Sequence, residues 1–298
     1  MKVTAVTPPV DVLGESGHWD TVTSSLLWVN TPGREVKRYQ ADTGDVTTRS
    51  TEEPVSFSVP RSKGQSLVIA QGQRLDFLDE VTGEQTPFAP STSLKLAENV
   101  VTNDGKCDVR GRLWFGTWER SDNPMSSRPV GGLYSVTSSG VVRLQASGFR
   151  LTNGLDWTSD NRTFLLADSV ARCVYAFDFD QDSGHISRQR TALDLSETGM
   201  PDGLTVDAED KLWVALLGGG RVARFDLSTG KEIQHVDLTP TTGCTCPNFG
   251  GKNWDELYVT TTKLFASPEQ LKCQPHAGSV YKVTELGVKG KRPFTFAG

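Results

Sequence analysis

The chain has 298 residues, with 31 Lys and Arg against 36 Asp and Glu. Its formal net charge of −5 argues against a nucleic-acid partner, for which a basic stripe is expected. No apolar run approaches the span of a membrane helix, and Met1-Lys2-Val3-Thr4-Ala5 does not lead into the apolar core of a signal peptide, so no membrane partner and a cytoplasmic location are expected.

In chain order, Val3-Thr4-Ala5-Val6 is a short strand-like run. One phrase then returns six times: a Gly or Asp turn followed by a short apolar strand. The copies are SGHWDTVTSSLLWVN from Ser16, SFSVPRSKGQSLVIA from Ser56, GKCDVRGRLWFGT from Gly105, GLDWTSDNRTFLLAD from Gly154, GLTVDAEDKLWVA from Gly203 and NFGGKNWDELYVTT from Asn248. Equivalent positions (Val29, Ile69, Phe115, Leu166, Val214, Val259) recur at the roughly 40 to 50 residues of one four-stranded propeller blade.

Each phrase is followed by apolar alternation around a Gly-containing turn, as at Thr43-Gly44, Thr82-Gly83 and Thr229-Gly230, which gives five outer hairpins. A sixth hairpin is expected over residues 280–289, and residues 3–6 are expected to complete the last blade and close the ring. The paired signature of WD repeats does not recur, and no stretch has a sustained helical period. The expected architecture is therefore all-β: a single six-bladed β-propeller domain over 1–298, its inner strands meeting at one central channel. The basic stretch 282–292 is expected to be solvated hairpin. The five cysteines have no framework spacing and are expected to be reduced thiols; Cys244-Thr245-Cys246 is a weak metal signal without a second half-site.

Inner strands of a propeller are apolar, so four polar residues at the starts of blades stand out: Glu15, Asn103, Asn153 and Asp202. Two acids and two amides offer oxygen ligands only, which suits a hard divalent ion such as Ca²⁺, Mg²⁺ or Mn²⁺ better than a thiolate-type zinc site. Asn-Gly and Asp-Gly are also common turn formers, and any one of these residues alone is more simply a turn. Their convergence at matching points of different blades favours ligation. No G-x-S-x-G is present, and His185, His235 and His276 follow no catalytic pattern, whereas His18 lies close to Glu15.

The motifs GES-x-x-W at 14–19, NDGK-x-D-x-x-G at 103–111, NGLDW at 153–157 and PDG-x-x-x-D-x-x-x-K-LWVA at 201–215 resemble the regucalcin/gluconolactonase family of six-bladed propellers, as do FGGKN at 249–253, ELYVT at 256–260 and LGVKG at 286–290. The resemblance covers essentially the whole chain. It implies hydrolysis of a small-molecule lactone at a single divalent metal, with Ca²⁺ foremost and Zn²⁺, Mg²⁺ or Mn²⁺ as alternatives. It makes Glu15, Asn153 and Asp202 the metal ligands, Asp202 also the candidate base, and Asn103 a substrate or water contact. A metal held by three protein oxygens keeps positions open for water and a carbonyl.

The chain departs from the family pattern at the substrate end. Val101 stands where sugar-lactone members carry an Arg, and its side chain cannot form a hydrogen bond. Glu119 and Arg120 follow Thr117-Trp118 where the pattern has an acidic residue directly after Gly-Thr, and Gly17-His18 follows Gly-Glu-Ser where a Pro is usual. Val101, Asn103, Glu119, Arg120 and His18 are thus the expected substrate contacts. Trp19, Phe57 and Trp118 are expected chiefly as packing between blades; were they to line the pocket, a hydrophobic lactone or another ester-like electrophile would suit it. Two alternatives to a lactonase stay open: a hydrolase of a different ester or phosphotriester, and a calcium-binding propeller without catalysis.

Overall fold

The computed structural model describes residues 1–88, 94 and 96–298. Among these, six four-stranded antiparallel sheets follow one another along the chain. Their innermost strands are Gly14–Asp20, Val55–Pro60, Val100–Cys107, Thr152–Trp157, Met200–Val206 and Cys244–Gly250, which define the first to the sixth blade. The recurrent positions Val29, Ile69, Phe115, Leu166, Val214 and Val259 all fall on second strands and are fully buried.

The alternation of each strand is explained by what lies on either side of its blade. Six apolar clusters sit between consecutive blades: Leu27 and Val29 with Val55 and Leu67, Phe57 and Val68 with Phe115, and Trp114 and Leu133 with Trp157. Leu165 and Val174 pack on Leu204 and Val214, Trp213 on Phe249, and Trp28 joins Tyr258 across the closure. Each blade therefore buries both faces, and the innermost strand of each lines the central channel. The Asp of two repeated phrases has a structural task here. Asp108 and Asp207 accept the indole N–H of Trp114 and Trp213 at 2.9 Å each, so these large side chains are buried without an orphaned donor.

Lys2–Ala5 pairs antiparallel with Tyr281–Thr284, so the last blade is completed from both ends of the sequence, as the sequence suggests. This pairing displaces the sixth outer hairpin expected over 280–289. The partner of Tyr281–Thr284 is the first strand, and the chain beyond it leaves the blade. Residues 289–298 then run across the far end of the ring as a strap. Gly290 bridges Asp207 in the fifth blade, Phe294 bridges Cys107 in the third, and Phe296 bridges Arg61 beside the second. The stretch 282–292 accordingly begins in the strand and ends in the strap, and is not a solvated hairpin.

Candidate metal centre

Every inner strand slips its register near its start, between Glu15 and His18, Val55 and Phe57, Thr102 and Gly105, Thr152 and Leu155, Pro201 and Leu204, and Cys244 and Pro247. The slips leave Ser56, Asn103-Asp104, Asn153-Gly154 and Asp202-Gly203 outside regular pairing. A bulge re-aims side chains out of the alternation, here at equivalent points around the channel. The Asn-Gly and Asp-Gly pairs are therefore bulged strand, not turns. Their glycines serve close approach: a Cβ on Gly154 would lie 2.2 Å from the Leu204 nitrogen, and one on Gly203 would lie 2.6 Å from the Cys246 Cα.

This arrangement brings Glu15, Asn153 and Asp202 together. The Asn153 amide donates to Asp202 Oδ1 and, at 3.1 Å, to Ser169 Oγ, which turns its carbonyl oxygen away from both. Asn103 donates from Nδ2 to the Thr152 carbonyl at 2.8 Å and so ties the third blade to the fourth. Burial pushes the Glu15 carboxyl well above its ordinary pKa, and the nearby charges of Asp202 and Asp104 push it further. Asp202 is raised in the same way, by burial first and then by Asp104. Among the described residues no lysine or arginine offsets either group.

Asp104 is a third, half-buried carboxylate that the sequence did not single out. Burial raises its pKa, with Lys106 as a partial counterweight. The signal for it was its place beside Asn103 inside a two-residue bulge, where both side chains escape the alternation. Among the described residues no cluster of three or more His, Cys, Asp and Glu is gathered around one point. The candidate set is thus two carboxylates and an amide. Uncompensated buried carboxylates cost several kcal/mol each, and an oxygen-seeking divalent cation is the ligand that offsets this cost. The donor set fits such an ion.

Glu15 and Asn153, though not Asp202, line a cavity of about 160 Å³ together with Val101, Asn103, Asp104, Trp118 and Arg120. Leu13 and Pro54 add further apolar surface to it. Glu119 is not among the lining residues: its carboxylate pairs with Arg128, with Nε 3.0 Å from Oε1. His18 lies deeper, in a narrow section of the channel with Asp104, Lys106, Cys246 and Asn248. Burial, reinforced by Lys106, drives its pKa down to about 3, so it is neutral, and its Nε2 has no partner. Trp19 stacks on Tyr258 and Phe57 packs against Phe115, both as core residues, whereas Trp118 faces the cavity. Cys244 and Cys246 are buried thiols, with Cys244 pushed up to about 12, so they do not form a thiolate pair. All five cysteines are unpaired.

A family model described as the SMP-30/Gluconolactonase/LRE-like region matches residues 13–263. The chain belongs to this family. Among relatives, the regucalcin of Danio rerio is 39% identical over 299 residues, covering 100% of this chain and 99% of that protein. A luciferin-regenerating enzyme superposes with a TM-score of 0.90 at 28% identity, covering 100% of this chain and 99% of the other. A calcium-binding protein, regucalcin, from Agrobacterium tumefaciens superposes with a TM-score of 0.87 at 24% identity, covering 98% and 96% of the two chains, and this likeness speaks to the fold. Membership of the SMP-30/gluconolactonase family supports a lactonase-like or calcium-binding function. No helix among the described residues is long and apolar enough to cross a membrane.

Proposed function

We propose that the protein is a divalent-metal-dependent hydrolase that opens a lactone ring at the carboxylate end of the channel. The observation that carries this reading is the pair of carboxylates Glu15 and Asp202, both raised by burial and by the charge of Asp104, with the Asn153 amide on Asp202 and an open cavity lined by Glu15 and Asn153. Glu15, Asn153 and Asp202 would hold the ion, with Ca²⁺ foremost. When bound, the ion supplies Lewis-acid polarisation of an ester carbonyl.

The protein's own residues supply the rest. Asp202 takes a proton from the attacking water as its oxygen bonds to the carbonyl carbon. The acyl carbon–ring oxygen bond then breaks, and the ring oxygen takes the proton held by Asp202, which leaves a hydroxy acid and the free carboxylate. Asn103, fixed through the Thr152 carbonyl, orients water or substrate at the cavity floor. Leu13, Pro54, Val101 and Trp118 give the substituent side of the cavity an apolar face, and Arg120 places a cation at its edge. This lining suits a lactone with an apolar substituent better than a polyhydroxylated sugar lactone. The protein is proposed to act in the cytoplasm, in keeping with its unpaired cysteines.

The test is pH-stat hydrolysis by metal-stripped protein of a sugar δ-lactone and of an alkyl-substituted δ-lactone, with Ca²⁺, Mg²⁺, Mn²⁺ and Zn²⁺ restored singly. Metal-restored turnover, faster on the alkyl lactone, is expected. Absence of turnover on both with every ion would overturn the hydrolase reading. Tight Ca²⁺ binding in that case would favour a binding protein, in line with the name of the Agrobacterium structure.

A further inference from the structure

The opposite end of the channel holds a second cavity, of about 230 Å³, enclosed between the ends of the inner strands and the strap. Three cations line it, Lys106, Lys291 and Arg292, against one carboxylate, Asp156. Asp156 is saturated. Its oxygens accept from Lys106 Nζ at 2.9 Å, Thr205 Oγ1 at 3.1 Å, and the backbone nitrogens of Val206 and Trp157 at 2.9 and 2.8 Å, with Lys291 Nζ 3.7 Å away. Lys291 also donates to the Trp157 carbonyl.

Each ammonium carries three donors, and one saturated carboxylate cannot engage them all. Burial lowers the Lys291 pKa, and the nearby Lys106 lowers it further, while Asp156 and, more weakly, Asp210 at the rim oppose this. In a chain of net charge −5, this cavity is a local concentration of positive charge in a low-dielectric setting, which focuses field on small anions. A mere plug of ion pairs would need no open volume. A water molecule occupies about 30 Å³ of liquid, so the cavity has room for a small organic molecule.

We propose that this cavity is an anion site, which takes the carboxylate or phosphate group of a small organic molecule between Lys106, Lys291 and Arg292. The site lies at the other end of the channel from Glu15 and Asp202 and contains none of the residues proposed to hold the metal. The strap carries two of its three cations, so an anion bound there fastens residues 289–298 to the third blade through Lys106.

The test is calorimetric titration of the full chain, with its metal supplied, using inorganic phosphate, glucose 6-phosphate, D-gluconate and neutral glucose at matched ionic strength. At least one of the three anions is expected to bind while glucose does not. Phosphate binding without gluconate binding would assign the site to phosphate groups, and the reverse to carboxylates. Lys291→Gln is expected to weaken that binding about tenfold or more, the scale of one lost charged hydrogen bond. Lys291→Arg should retain it, and the exposed Arg292→Gln should weaken it less. Three outcomes would overturn the proposal: no anion binding, binding equal for glucose, or binding that survives both Lys291→Gln and Arg292→Gln but is lost in Asp202→Asn.

Discussion

The two ends of the channel are built from the same six strands, yet they treat buried charge in opposite ways. At one end the charges of Asp202 and Asp104 bear on Glu15, and among the described residues Glu15 and Asp202 have no cation partner, beside an open cavity. At the other, Asp156 is held by two lysines, a hydroxyl and two backbone N–H groups, and the strap covers it. A protein tolerates unmatched buried charge only where a ligand or a proton completes it, and matches it where the fold alone must hold. The contrast assigns metal chemistry to the first end; at the second, a satisfied carboxylate holds the strap while the surplus cations face the anion cavity.

The comparison is broken most severely at its chemical end. Asp202→Asn should lower metal-dependent hydrolysis by about 10² to 10⁴-fold, the range for loss of a general base, with the far-ultraviolet circular dichroism spectrum unchanged. A full-rate Asp202→Asn variant would place the base elsewhere, and Asp104 would be the next residue to replace. At the other end, Asp156→Asn leaves Lys106 and Lys291 without their carboxylate. The expected cost is about 3 kcal/mol in urea unfolding, as for breaking a buried ion pair from one side. A cost near zero would mean that the network closes nothing.

Acidity sharpens the same comparison because the two ends carry opposite signs. Glu15 and Asp202 have raised pKa values when folded. Their contribution to metal-free stability is therefore fully present below the unfolded carboxylate value of about 4 and is lost as pH rises through the folded values. Asp156 is lowered to about 2, because Lys106 and Lys291 outweigh its burial. Its contribution is present above about pH 4 and is lost as pH falls toward 2. Metal-free melting curves from pH 4 to 8 should thus decline toward high pH, and the Glu15→Gln, Asp202→Asn double variant should flatten that decline. An unchanged slope in the double variant would contradict the assignment. The smallest effect is expected at Glu119, which the sequence placed among the substrate contacts and which the structure pairs with Arg128 away from the cavity. Glu119→Gln should change turnover less than about twofold, as for a surface group outside the site.

The fold and the open end were legible in the sequence for a shared reason. Apolar alternation repeats six times, so Glu15, Asn153 and Asp202 are visible as breaks in a pattern. Asp104 was less legible because it stands next to Asn103, and only a bulge of two residues brings both side chains out of the alternation together. The closed end was not legible at all. Lys291 reaches the Trp157 carbonyl across 134 positions of sequence. It gets there only because Lys2–Ala5 takes the pairing edge of Tyr281–Thr284 and sends the following residues across the ring. A hairpin reading of 280–289 is locally sound, and the long-range pairing overrides it. Likewise His18, two positions past the bulged Ser16, looks adjacent to Glu15 in sequence but faces the narrow section below it.

The most direct test of the account is calorimetric titration of Ca²⁺ into metal-stripped protein and into its Glu15→Gln, Asp202→Asn double variant. One Ca²⁺ per chain is expected to bind the parent protein, and that binding is expected to be lost in the double variant. Equal binding by both, or none by the parent with any of Ca²⁺, Mg²⁺, Mn²⁺ and Zn²⁺, would contradict it.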